Sequence, residues 1–329
     1  MRRLIARLRH EDRVNVAVVV ALAMVPLLGF VAITIDAGAL YSEKAQLQNG
    51  ADAAALAVAQ SCAAAAGCTT ASATAIARSL ANANAADGTA FVATPAFPTT
   101  RSVRITTSAR DGATTAGSLA LTFAPAIGID TAAVTATATA GWGSPASGPA
   151  VLPLAFAPCV FDRFGTSGTI QVIQTHGSND GTVSCSSRSP SGQLLPGGFG
   201  WLADPTGQCR TDVGAAMSAP IRSDTGNSVP SGCDAVLTAR KNTTVVLPVY
   251  SDVTGSGSGG RYTIKGWAAF ELLGWRFPGS SFANNTYAGA KCTGNCSGLI
   301  GRFVRFVSLD QTFTTGGADL GTAIVTLTR

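Results

Sequence analysis

VNVAVVVALAMVPLLGFVAITI, residues 14–35, runs directly into DAGALYSEKAQLQNGADAAALAVAQ, residues 36–60. The first stretch holds 22 uncharged positions between Arg13 and Asp36. As an α-helix it is about 33 Å long at 1.5 Å per residue, matching roughly 30 Å of bilayer hydrocarbon. Pro26 and Gly29 are both tolerated in such a helix. A cleaved secretory signal is the rival, but its apolar region is shorter, about 7–15 residues, and ends at a small-residue cleavage site. A buried core helix is the other alternative, and it would rarely follow an arginine cluster.

The second stretch prolongs the helix beyond the apolar run. Leu40, Leu47, Ala51, Ala54 and Val58 fall on one stripe of mostly small side chains. Gly50 weakens the helix only modestly. The expectation is one long helix, half in lipid and half outside it.

The 329-residue chain is 46% apolar but only 12% charged, with a formal net charge of +5. Arg2, Arg3, Arg7, Arg9 and Arg13 stand against Glu11 and Asp12, so +3 of that charge sits before Val14. An arginine-rich foot with near-neutrality beyond Asp36 predicts a cytoplasmic N-terminus, with residues 36–329 extracytoplasmic. The balance argues against a nucleic-acid binder, which needs a basic face on its folded part.

The segment 11–60, above all IDAGALYSEKAQLQNGADAAALAVA, resembles the N-terminal segment of the Flp pilus-assembly TadE/TadG-like family. The marks are Asp36 two residues before Gly38, then Tyr41, Ala45, Gln46, Leu47, Gln48, Asn49, Ala51, Asp52, Ala53, Ala54, Ala55, Leu56 and Ala57. LPLAFAPC (152–159), GFGW (198–201), VVLPVY (245–250), IKGWAAFELLGW (264–275) and RFVRFVSL (302–309) look like pieces of the C-terminal region of larger TadG-like proteins. Pilin-type precursors resemble one another in a glycine before the cleavage point and a glutamate five residues into the mature helix; here Val14 and Val19 stand at those positions. Retention of the whole helix is therefore expected. The D-x-S-x-S signature of the von Willebrand-type metal site found in some TadG-like proteins is absent.

Beyond the helix the expected class is α+β, a β-rich disulfide-linked extracytoplasmic region. The organisation reads as a basic foot (1–13), a transmembrane helix (14–35), its extension (36–60), a small helix/strand module (61–142), a Gly/Ser/Pro linker (143–149) and a β-rich domain (150–329). A short helix is expected over 72–86. Strands are expected over 102–109, 119–123, 131–142, 168–174, 243–250, 261–273, 302–309 and 322–328, where small, β-branched and aromatic residues alternate. The stretch 175–242 has weak periodicity and reads as a long loop that must be tied down.

Cysteines supply ties. Cys62, Cys68, Cys159, Cys185, Cys209, Cys233, Cys292 and Cys296 all lie beyond the apolar run, and an even count in an exported chain reads as disulfides. Local pairs Cys62–Cys68 and Cys292–Cys296 are favoured. The middle four allow three pairings, with proximity mildly favouring Cys159–Cys185 and Cys209–Cys233. KCTGNC, residues 291–296, has no second close pair to complete a zinc site and one residue too many for a redox C-x-x-C.

Catalytic motifs do not assemble. GSGSGG (255–260) has the letters of a dinucleotide loop, but a strand-like segment follows it where a helix is required. The DTG beginning at Asp224 has no second copy to share a proton. His176 has Asp162 and Asp180 near it in sequence, with no spacing that makes a triad. Arg302 and Arg305 flank Phe303 and Phe306 without a clean stacking-and-phosphate pattern. Trp142, Trp201, Trp267 and Trp275 read as core, with loop-borne Trp201 alternatively on a binding surface. Asp36 reads as an interfacial charge or as a partner for another helix. Asp36, Gly38, Tyr41, Leu47, Ala51 and Ala54 are the helix-packing candidates.

No catalytic residue, metal, cofactor, small-molecule substrate or nucleic acid is expected. The expected partners are the lipid bilayer and, by family resemblance, other pilus or Tad apparatus proteins met through the N-terminal helix. The resemblance implies a non-enzymatic single-pass envelope component, minor pilin-like or an anchored accessory. A membrane-tethered binding domain for cell wall or a surface protein is the alternative, and an envelope hydrolase is the remote one.

Overall fold

The structure, a computed structural model, describes residues 2–64, 68–110, 117–157, 160–161, 168–174, 199–214, 221–222, 224, 228–254, 260–308 and 310–328. It divides into two compact units, one of residues 1–58, 68–140 and 327–329, the other of residues 59–67 and 141–326.

The first unit is built on α1 (Arg2–Ala64), a single 63-residue helix that passes through Pro26. From Val16 to Ile35 its large apolar side chains are exposed, Leu22 at 70%. An apolar helix long enough to cross a membrane therefore leads the chain. Further along, Leu47, Ala51, Ala54, Ala55 and Val58 turn inward and are buried.

α2 (Thr70–Asn84) starts at Thr69, whose hydroxyl accepts a bond from the Ser72 amide, an N-cap that satisfies a first-turn donor. Its buried face is Ala73, Ala77 and Ala81. Strands β1 (Phe91–Val92), β2 (Ala96–Thr99) and β3 (Ser102–Ser108) follow, then the hairpin β4 (Ser118–Ala120) and β5 (Thr131–Ala133), then β6 (Thr135–Gly143). β3 is central, pairing with β1, β2 and β6.

Period-two alternation in β3 puts Val103, Ile105 and Thr107 inside, and the Thr107 hydroxyl donates to the Leu47 carbonyl of α1 at 2.9 Å. On β6 the inward residues are Ala136, Ala138 and Ala140. Most of this core is alanine, so helix and sheet lie close together. The expected strand over 119–123 stops at Ala120, because the chain there turns into a 3₁₀ turn, Ala124–Ile127, with Pro125 near its start.

The second unit holds β7 (Pro145–Ala150), β8 (Leu154–Phe156), β9 (Gln171–Gln174), β10 (Phe199–Trp201), β11 (Thr211–Gly214), β12 (Ile221–Arg222), α3 (Cys233–Arg240), β13 (Thr243–Thr254), β14 (Arg261–Arg276), β15 (Gly298–Val304), β16 (Phe306–Ser308), β17 (Thr314–Thr315) and β18 (Thr322–Thr328). Its main sheet has the order β10-β8-β13-β14-β15-β9, with β12 also paired to β14; a smaller sheet runs β11-β7-β17. The long β13–β14 hairpin is antiparallel from Thr243↔Leu272 to Thr254↔Arg261.

β15 packs tightly on β14: a Cβ on Gly301 would stand 2.0 Å from the Glu271 carbonyl oxygen. The core gathers Phe156, Phe270 and Phe303, whose rings meet edge to face, Phe156 on Phe303 at 5.6 Å and Phe270 on Phe303 at 5.3 Å.

Within the stretch 175–242, expected to be loop, the described residues carry β10, β11, β12 and α3. Strands of two to four residues are too short to show a period. Residues 143–149, whose composition marks a linker, carry most of β7. Its Gly148 admits the Phe313 ring where a side chain would collide with it.

Disulfides join Cys62 to Cys68, Cys209 to Cys233 and Cys292 to Cys296. The expected Cys159–Cys185 pairing lies outside the described residues.

Candidate functional site along the N-terminal helix

The helix-packing candidates divide by face. Leu47, Ala51 and Ala54 are buried against the chain's own first unit. Gly38 has open space where its side chain would be, and Tyr41 is 81% exposed. The family-like stretch thus has an inner face that builds the unit and an outer face the unit leaves uncovered.

Asp36 lies on the inner face, about five helical turns before Ala54 and in line with it. It is 7% exposed and its carboxylate is bonded by backbone amides 86 to 88 residues away. Thr122 N donates to Oδ1 at 2.8 Å, and Phe123 N and Ala124 N donate to Oδ2 at 3.1 and 2.7 Å. Those amides open the 3₁₀ turn, where free N–H groups converge and favour an anion. The reading as interfacial charge or interhelical partner did not foresee these internal partners. A partner so distant in sequence leaves no local signal; the one available clue was an apolar, turn-forming LTFAPAIG at residues 121–128.

Further along α1 the side chains of Lys44 and Gln48 reach the β6 carbonyls of Thr135 and Thr137. Gln46 Oε1 accepts from the Ala86 amide beyond α2 at 2.6 Å. The polar residues of the motif thus tie strand and loop backbone to the helix.

The other singled-out residues lie elsewhere. Trp201 is 2% exposed and meets Phe277 edge to face at 5.4 Å, so it is core. Arg302 is paired with Glu271 across β14 and β15 at 2.5 Å. Phe303 is core. Asp224 is exposed, and the rest of its DTG lies outside the described residues, as do His176, Asp162 and Asp180. The segment after GSGSGG is β14, a strand. Among the described residues no group of three or more His, Cys, Asp or Glu could hold a metal ion.

Fold and site together define a membrane-anchored protein of accessory or pilin-like type, with an N-terminal spanning helix and a disulfide-linked β-rich region. Residues 15–61 match the family model described as Flp pilus-assembly TadE/G-like. That match covers about three-quarters of the 63-residue α1 and stops before the β-rich region. No curated protein and no solved structure matches the chain.

Proposed function

We propose that this chain is a non-enzymatic, single-pass component of Flp/Tad-type pilus assembly or a related secretion apparatus, serving as a minor pilin-like part or an anchored accessory. The observation that carries this reading is the coincidence of the family match, residues 15–61, with a helix whose Gly38 and Tyr41 face stays uncovered by its own unit. In the same reading the arginine foot stays cytoplasmic, both β-containing units lie outside, and α1 remains attached because Val14 and Val19 replace the residues of a processed prepilin. Disulfides support the outside placement, since they persist in oxidising compartments.

A photo-crosslinking amino acid at Tyr41, in the full chain in its native membrane, tests the partner. Adducts with pilus-apparatus proteins are expected. Adducts confined to cell wall or to unrelated surface proteins would favour a tethered binding domain. A reporter fused after Gln60 tests orientation, and a cytoplasmic signal would overturn it.

A further inference from the structure

The β4–β5 hairpin carries an apolar tip, LTFAPAIGI at residues 121–129, whose only side-chain polar group is the Thr122 hydroxyl. Ile127 is 77% exposed, and Phe123 and Ile129 are also exposed. The tip lies alongside α1, and the groove between them, about 450 Å³, is lined by Gly29, Ala32, Ile33 and Leu40 on the helix and by Phe123 and Ile127 on the tip. Gly29 to Asp36 is seven residues, about 10 Å of helix at 1.5 Å per residue. The tip therefore reaches past the charge that ends the apolar run, to helix positions at bilayer depth.

We propose that residues 121–129 form a membrane-inserted loop, seated among the acyl chains of the leaflet from which α1 emerges, clamped by Asp36, with an acyl chain in the groove. This rests on α1 spanning the bilayer.

Irregular backbone in hydrocarbon requires that its amides be satisfied internally. Here Leu121 N donates to Asp130 O, and the Thr122, Phe123 and Ala124 amides donate to the Asp36 carboxylate. Pro125 has no N–H, Ala126 N donates to Phe123 O, Gly128 N to Pro125 O and Ile129 N to Ala124 O. A solvent-facing turn could leave such amides to water. Here seven of the eight N–H groups of residues 121–129 are engaged within the protein, while the large apolar side chains of Phe123, Ile127 and Ile129 are exposed. Continuity with the exposed apolar surface of α1 selects lipid as the occupant over a second protein.

The test uses the full chain in nanodiscs of phosphatidylcholine and phosphatidylglycerol with deuterated acyl chains. A benzophenone amino acid is placed singly at Ile127, at Leu22 in mid-helix, and at Phe97, an exposed apolar residue of β2 in the same unit. Deuterated lipid adducts are expected at Ile127 and Leu22, several-fold above those at Phe97. Asp36→Asn should lower the Ile127 yield and leave that at Leu22 unchanged; an unaltered Ile127 yield would overturn the clamp. Adducts at Leu22 without any at Ile127, equal labelling of Ile127 and Phe97, or crosslinks from Ile127 to a second protein chain would overturn the insertion alone. Absence of lipid adducts at Leu22 would overturn the spanning helix, and the loop proposal with it.

Discussion

A Cβ atom on Gly50 would lie 3.2 Å from the Cα of Ala81, so α1 and α2 meet almost backbone to backbone. The contact explains a glycine in the middle of a long helix, where it otherwise costs roughly 0.5–1 kcal/mol relative to alanine. Gly50→Val should force the helices apart and destabilise the first unit by about 1–3 kcal/mol. Gly38→Ala, with nothing within 4 Å of the new atom, should be neutral or slightly stabilising. Hydrogen exchange across α2 in nanodisc-embedded protein reads both, and similar protection in the two variants would refute the contact.

Asp204 organises the turn that leads into the buried Cys209. Its Oδ1 accepts from Thr206 N at 2.8 Å and from the Thr206 hydroxyl at 2.6 Å, and Oδ2 accepts from Arg210 N at 3.2 Å. Burial pushes this carboxyl up, but the bonds from Thr206, Arg210 and Cys209 outweigh it and hold it below its ordinary value of 3.8. A group lowered in the folded state adds stability above its unfolded value, and that stability is lost as pH falls through the folded one. Acidification below the ordinary aspartate range should therefore loosen the turn and speed reduction of Cys209–Cys233 by a phosphine reductant. Asp204→Asn should be reduced faster at neutral pH and respond less to acid. A wild-type rate independent of pH through that range would contradict this role.

The long helix was legible because 22 uncharged residues and a stripe of small side chains are local signals, and the long hairpin strands were legible by alternation. Short strands β7, β8, β10, β11, β12 and β17 were not, since Pro, Gly and Ser in PASGPA or a two-residue TT look like turns. Of the site, the inward face of Leu47, Ala51 and Ala54 could be read from the helical stripe. What Asp36 binds could not, because that bond set depends on how a distant hairpin folds back along the helix.

Trp201 illustrates the same limit. Its setting, GGFGWLADP, is that of a surface loop, yet β10 pairs with β8 through Trp201↔Leu154 and carries the indole into the core. Trp201→Ala should cost about 3–5 kcal/mol in unfolding free energy. Trp201→Phe should cost much less, since the indole Nε1 has no hydrogen-bond partner among the described residues. Denaturant unfolding of the exported protein measures both, and a stable alanine variant would return Trp201 to the surface.

The two disulfides of the second unit should differ in weight. Cys209 and Cys233 are 24 residues apart, and both are buried in the main core, with Cys233 opening α3. Cys292 and Cys296 are four apart in a satellite cluster with Ala290 and Ile300. Restricting the unfolded chain over the longer loop is worth about 3.5 kcal/mol, against about 2 for the shorter. Loss of the first pair also leaves two cysteine side chains' worth of core to repack around Leu237, whereas the second pair shapes a turn before β15. Arg276 holds that turn independently, donating to the Gly294 and Cys296 carbonyls. Replacing Cys209 and Cys233 together by serine should therefore lower the unfolding midpoint of the second unit well beyond the effect of replacing Cys292 and Cys296. Serine at the first two positions also buries hydroxyls among Leu237 and its neighbours, so the paired alanine variant should recover part of the loss. Equal midpoints for the two serine pairs would show that loop length and core position do not set the contribution of these bonds.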